Sequence, residues 1–324
     1  MVTFRYITTN NITLRVALKG EGPLCILVHG WPELWLSWRH QIEPLVAAGY
    51  QVAVPDVRGY GGSDAPDDVA AYGMEALTDD IVGIIDALGH EKAILIGHDW
   101  GAPIVWHTAL LHPERVQAVV GMSVPYYGIS GAPPTQLLQV AYPNRFFYML
   151  YFQQPSLPEA EFEADVRDAL IKVYFANSGD STKAVRRAMR ARTPESGYLD
   201  GLIKPNILPD WLPEDVLDQY VAAYKKSGFH GGIHRYRNID QDWHALQHLS
   251  GKKIEQPALF IAGEFDSVLR YAPGVNMMDI IDPFYDDLRG KVIIEGAGHW
   301  VQQERPQAVN QHLLAFLSEL DEDS

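Results

Sequence analysis

Apolar and polar positions alternate along the early chain in two rhythms, one with a period of two and one close to that of a helix. The segment Ile12-Thr13-Leu14-Arg15-Val16-Ala17-Leu18 alternates and predicts a half-buried strand. Leu24–Val28 is an unbroken apolar run and predicts a strand covered on both faces. Residues 38–48 predict a helix that Gly49 ends, and Gln51–Pro55 predicts another strand. Residues 74–88 set Leu77, Ile81, Ile84, Ile85 and Leu88 on one helical face, with Gly89 as the stop. Residues 93–96 and 118–121 predict short buried strands. This alternation predicts an α/β fold, a mostly parallel central sheet flanked by helices.

The rhythm breaks after Val124-Pro125. From about Tyr126 to Leu249 the pattern is helical, with proline-rich loops and no run that predicts a buried strand. A helix is expected over 159–175, with Phe162, Val166, Leu170 and Val173 inward, and another over 214–224. Strands resume at Ala258–Gly263 and 291–295, and residues 308–320 form a last amphipathic helix. The expected organisation is therefore a core made of residues 1–125 and 250–324, interrupted by a helical insertion at 126–249. Insertions of that size in a compact domain are commonly functional lids.

The 324 residues and 47% hydrophobic content supply a sizeable core. A formal charge of −15 argues against nucleic acid and anionic membrane as partners, since both need a basic face. Cys25 is the single cysteine, which rules out an internal disulfide, and its place in an apolar strand predicts a buried thiol. No basic-then-apolar leader is visible, and no apolar run reaches the length of a membrane span, so a cytoplasmic protein is expected. The acidic stretch 319–324 is expected to be a solvated end.

Candidate chemistry centres on Gly97-His98-Asp99-Trp100-Gly101-Ala102, between a predicted strand and a predicted helix. Small residues around one reactive side chain allow the sharp turn of a nucleophile elbow. The occupant here is Asp99 rather than Ser. That changes the chemistry from acyl transfer to attack by a carboxylate on an electrophilic carbon, giving an alkyl ester of the enzyme. Hydrolysing such an ester needs a base. Among 12 histidines, His299 is singled out by the glycine-bearing loop Glu295-Gly296-Ala297-Gly298 before it and by its place after a late strand. Asp266, just past the strand at Ala258–Gly263, fits the acid that orients it, with Glu264, Asp240 and Asp242 as competitors. Nucleophile, acid, histidine is the chain order of the α/β-hydrolase triad. His29-Gly30-Trp31-Pro32 follows the strand Leu24–Val28, and the N–H groups of Trp31 and Trp100 together would form an oxyanion hole.

Assembled, these pieces resemble the epoxide hydrolases of the α/β-hydrolase fold, over nearly the whole chain. The likeness extends into the insertion, where Tyr148-Met149-Leu150-Tyr151-Phe152-Gln153 and Tyr236-Arg237-Asn238 look like that family's two lid tyrosine motifs. The resemblance implies that Tyr148 and Tyr236 grip the epoxide oxygen and that the product is a vicinal diol. Tyr151 and Tyr127 are the competing tyrosines. Trp31, Phe152 and His29 are expected around the substrate, which favours a small apolar epoxide over a charged one. No cofactor is implied, no histidine or cysteine cluster has metal-ligand spacing, and a homodimer stays open. The nearest rival reading is a haloalkane dehalogenase with the same Asp nucleophile. Trp31, where those enzymes often place a halide-binding Asn, and the tyrosine pair weigh against it. Trp100, where fluoroacetate dehalogenases have Arg, weighs against that group, and the absence of Ser or Cys at the elbow against an ester hydrolase. A non-catalytic hydrolase-fold binder of small molecules would not need all five side chains.

Overall fold

The computed structural model describes residues 2–322. One eight-stranded sheet organises the chain. Its strands are β1 (Thr3–Thr9), β2 (Ile12–Lys19), β3 (Leu24–Val28), β4 (Gln51–Pro55), β5 (Ala93–His98), β6 (Val116–Met122), β7 (Ala258–Gly263) and β8 (Leu288–Ile294). The spatial order is β1-β2-β4-β3-β5-β6-β7-β8. β1, β2 and β4 pair antiparallel, and every neighbour pair from β4 to β8 is parallel. No apolar alternation marks strand β1 in the sequence, because Thr3, Phe4, Arg5 and Tyr6 are all solvent-exposed.

Side chains of β3 show why the sheet needs cover on both faces. Ile26 and Val28 join the cluster that packs α2 (Met74–Ala87) and α3 (Gly101–Leu111), through Leu77, Ile81, Ile84 and Val105. Cys25 and Leu27 point the other way, with Ile42 of α1 (Arg39–Ala47) and with Val309, Leu313 and Phe316 of a long C-terminal helix. The period of two puts each face into its own core. Cys25 is fully buried, and burial pushes its thiol pKa up.

Between β6 and β7 the described residues form helices and no strand: α4 (Pro134–Ala141), α5 (Tyr148–Tyr151), α6 (Leu157–Ala164), α7 (Val166–Asn177), α8 (Lys183–Arg190), α9 (Glu214–Ser227), α10 (His230–Arg237) and α11 (Ile239–Ala245). The single helix expected over 159–175 is two. Asp165 takes an extended backbone between α6 and α7, and its carboxylate accepts from Asp168 N–H to cap the second helix. Asp favours that role over a helix interior. After β8 come α12 (Val301–Glu304) and α13 (Pro306–Glu322), the long C-terminal helix named above. The solvated tail expected over 319–324 is therefore helical through Glu322, because Leu320 packs into the core. Asp323 and Ser324 lie outside the described residues.

The chain runs from β3 outward to β4, then crosses back to place β5 on the other side of β3. In parallel sheets the crevice at such a reversal, beyond the strand C-termini, is where ligands bind. The loop after β3 carries Trp31, and the turn after β5 carries Asp99.

Candidate active site

Asp99 holds a left-handed backbone, with φ at 51°. A non-glycine residue there costs about 1–3 kcal/mol and persists only where its surroundings enforce it. The surroundings are tight. A Cβ on Gly101 would lie 1.9 Å from the Val28 carbonyl oxygen, and one on Gly30 would lie 2.3 Å from the Asp99 carboxylate. Helix α3 can thus begin directly against β3, and the Asp99 side chain is thrust out of the turn. Its Oδ1 accepts from Trp31 N–H at 2.7 Å. Its Oδ2 lies 3.2 Å from His299 Nε2.

His299 Nδ1 donates to Asp266 Oδ2 at 3.0 Å, and Asp266 Oδ1 accepts from Val268 N–H. Burial alone would disfavour an imidazolium. Asp266 and Asp99, one on each ring nitrogen, outweigh it and hold the His299 pKa well above its ordinary value. Burial likewise opposes the Asp266 carboxylate, but His299 reverses the effect and its pKa is lowered. The His299 main chain is pinned by N–H donation to Asn177 O and by Ser123 Oγ donating to its carbonyl. The competing acids are engaged elsewhere. Glu264 accepts from Gly296 N–H, Asp240 from Thr135, and Asp242 pairs with Arg235.

A cavity of about 800 Å³ opens over the carboxylate. Its lining includes Asp99, His299, Trp31, Trp100, Tyr148 and Tyr236. Tyr148 begins α5 and Tyr236 sits in α10, yet their rings meet edge to face, 5.6 Å apart. Burial first, then the Asp99 charge, raises both phenol pKa values well above the ordinary range. Among the described residues neither phenol O–H has a protein hydrogen-bond partner, so both are free to donate into the cavity. Tyr151 instead donates to Glu161, and Tyr127 is bonded to the Tyr271 hydroxyl.

Two expected substrate neighbours lie one layer back. Phe152 is fully buried behind Trp31 and Tyr236, with ring centroids 5.0 and 4.8 Å away, and does not line the cavity. His29 is buried too. Its Nδ1 faces Gly30 O and its Nε2 accepts from Val57 N–H, so the ring braces the loop instead of facing substrate.

With this geometry in place, comparison with known proteins is decisive. The α/β-hydrolase fold family matches residues 23–306. Epoxide hydrolase A of Mycobacterium tuberculosis is 43% identical over 323 residues, covering 98% of this chain and 98% of that protein. The chain belongs to the epoxide hydrolases of the α/β-hydrolase fold. Epoxide hydrolase B of the same organism is 38% identical, covering 93% of this chain and 92% of that one. Among solved structures, Epoxide Hydrolase A from Mycobacterium thermoresistibile superposes with a TM-score of 0.91 at 43% identity, covering 98% of each chain. An epoxide hydrolase from an endophytic Streptomyces gives 0.94 at 39% identity, covering 99% of this chain and 96% of that one.

One element of this epoxide hydrolase site was not legible beforehand. Glu33 is fully buried, and its Oε2 lies 2.7 Å from His98 Nδ1. It also accepts from Gly30 N–H, Gln302 and Gln303. His98 Nε2 lies 2.7 Å from the His299 carbonyl. Glu33 thus ties together the Trp31 loop, the residue before Asp99 and the segment after His299. Burial works against its charge, yet His98 prevails and lowers its pKa to about 2. A carboxyl depressed on folding contributes stability above its unfolded pKa, and that contribution fades as pH falls from about 4.5 toward 2. Glu33→Gln is accordingly expected to lose about 3–5 kcal/mol at neutral pH in urea unfolding, as when a buried pair is broken. The gap between variant and wild type should narrow below pH 4.5. Adjacency of Glu33 to Trp31-Pro32 and of His98 to Asp99 was the available signal, but nothing in a lone Glu marks it as buried.

Proposed function

We propose that the protein converts a small apolar epoxide and water to a vicinal diol through an alkyl ester on Asp99. The observation that carries this reading is one buried carboxylate beside His299, facing two phenols without a protein partner among the described residues. Residues 126–249 act as the lid that brings the phenols to it, over a core of residues 1–125 and 250–324.

In this reading the two oxygens of Asp99 play different parts. Oδ1, held by Trp31 N–H, is the future carbonyl oxygen, and Oδ2 is the nucleophile. Tyr148 and Tyr236 donate to the epoxide oxygen. Oδ2 forms a bond to one ring carbon as that carbon's bond to the epoxide oxygen breaks. A phenol proton passes to the departing oxygen, a step in which general acid catalysis contributes roughly 10²–10⁴-fold. The two carboxylates that flank His299 raise its pKa and favour its protonated form at rest. That imidazolium is the resident proton source that restores the tyrosinate to a phenol.

Ester formation also removes the Asp99 charge, so His299 keeps one carboxylate instead of two and becomes a competent base. Its Nε2 then takes a proton from water as the water oxygen attacks the Asp99 carbonyl carbon. The N–H groups of Trp31 and Trp100 stabilise the oxyanion on Oδ1. The C–O bond to the alkyl group breaks, the diol leaves with the proton from His299, and the regenerated acid re-protonates the imidazole.

A single turnover of styrene oxide in ¹⁸O-water tests this route. The label is expected in Asp99 and absent from the first diol, since the new diol oxygen comes from the carboxylate. Label appearing first in the diol would mean direct attack by water. Chloride release from a chloroalkane, with no diol from any epoxide, would reassign the chemistry to the dehalogenase reading.

A further inference from the structure

Arg235, the residue before Tyr236, has no part in the cycle above, yet it is buried beside it. Its exposure is 4%, and it lines the catalytic cavity. Its guanidinium carbon sits 4.6 Å from the centroid of the Trp100 ring. Nη2 pairs with the Asp242 carboxylate and Nη1 donates to Tyr72 O, while Nε has no hydrogen-bond acceptor among the described residues. Asp242 in turn accepts from Met74 N–H, at the first residue of α2, at 2.7 Å. The guanidinium is thus fixed through both Nη atoms, to Asp242 and Tyr72 O, while its carbon sits over the Trp100 indole.

That indole forms one wall around Tyr236. The four rings about the phenol are Phe152 at 4.8 Å, Trp100 at 5.1 Å, Tyr148 at 5.6 Å and Trp31 at 6.0 Å. Phe152 is locked in the interior and Trp31 is a buried part of the cavity wall, whereas Trp100 is only partly buried and borders the open cavity. The cover on its face is Arg235. A planar guanidinium suits this use, because it stacks on an aromatic face while its edge stays hydrogen-bonded.

We infer that Arg235 is a positioning residue for ring opening. Through its stack on Trp100 it holds the Tyr236 phenol in line with the epoxide oxygen. The inference rests on the epoxide-opening function proposed above. Its part is indirect, through Trp100, with the guanidinium held by Asp242 and Tyr72 O. Loss of Arg235 would let the Trp100 indole turn into the cavity and the Tyr236 ring follow. Misplacement of a reacting group by about 1 Å can cost roughly 10²-fold. The effect belongs to ring opening, where Tyr236 donates, and not to ester hydrolysis, where it does not.

Rapid-quench mass spectrometry with styrene oxide separates the two steps. Arg235→Met is expected to slow ester formation about ten- to a hundredfold and to leave the rate of ester breakdown unchanged. The loss should persist in a Tyr148→Phe background and shrink to within about twofold, the usual limit of additivity, in a Tyr236→Phe background. Equal losses in both backgrounds, or a lowered melting temperature with unchanged ester formation, would overturn the inference. Arg235→Lys keeps a charge for Asp242 but has no plane to lay on the indole. It guards against misfolding of the methionine variant and should reproduce the same pattern at smaller size; full activity in it would also overturn the inference. Wild-type protein that forms no ester defeats the epoxide-opening function itself. Normal ester formation in wild type, with no Tyr236-specific loss in the variants, defeats only the role of Arg235.

Discussion

His299→Gln should yield a protein that opens one epoxide ring and then stops. The first half of the cycle needs Asp99 as nucleophile and two phenols as acids, and the imidazole is not required to form the carbon–oxygen bond. The second half needs a base beside the ester, and glutamine cannot accept the proton of water. Steady-state diol formation is expected to fall about 10²–10⁴-fold or more, the range attributed to a positioned general base. The ester should accumulate in step. After incubation with styrene oxide, intact mass should rise by the whole epoxide, and peptide mapping should put the increase on Asp99. Addition of an alkyl group alone from a chloroalkane would instead signal the dehalogenase chemistry. Unmodified Asp99 in a variant that still turns over would remove the covalent route altogether. Glutamine suits the experiment because an amide N–H can still point toward Asp266, so the carboxylate that packs behind His299 is not left without a donor.

Tyr148→Phe and Tyr236→Phe should each slow ring opening while leaving ester hydrolysis intact. Phenylalanine preserves the edge contacts among Tyr148, Tyr236 and Phe152, so the loss reports the hydroxyl and not the packing. Each phenol is held protonated by burial and by the neighbouring Asp99 charge, which makes it a donor across the whole neutral range. One phenol can still polarise the ring when the other is gone. Each single variant is therefore expected to lose about tenfold or more, and the double variant to approach the full 10²–10⁴-fold of general acid catalysis. In a His299→Gln background these figures are read directly as the rate at which the trapped ester forms. A double variant that traps ester at the wild-type rate would leave the departing oxygen without its proposed acids.

Much of the core was legible because strands buried on both faces are written as plain apolar runs. Leu24–Val28 and Gln51–Pro55 fall where the pattern put them. Asp99 and His299 were legible because sharp turns at strand ends need small residues, and those residues flank them in sequence. Legibility failed where side-chain environment, and not periodicity, decides the outcome. Strand β1 is an edge strand with a wet surface, the helix expected at 159–175 is divided by the capping preference of Asp165, and Phe152 is hidden by its neighbours. The pairing of Glu33 with His98 spans 65 positions, and Arg235 of α10 meets Trp100, in the turn ahead of α3, from far along the chain. Contacts of that reach leave no local trace.

The origin of the reacting groups has a consequence for how such a catalyst can diversify. In the proposed cycle the nucleophile, base and oxyanion donors rise from the strand ends and turns of the sheet, while the two acids come from helices strung between β6 and β7. The half of the chemistry that makes and breaks an ester is therefore heritable apart from the half that quenches the leaving oxygen. Recombination that exchanges only the helical stretch could bring a different leaving group within reach without rebuilding the ester machinery beneath it.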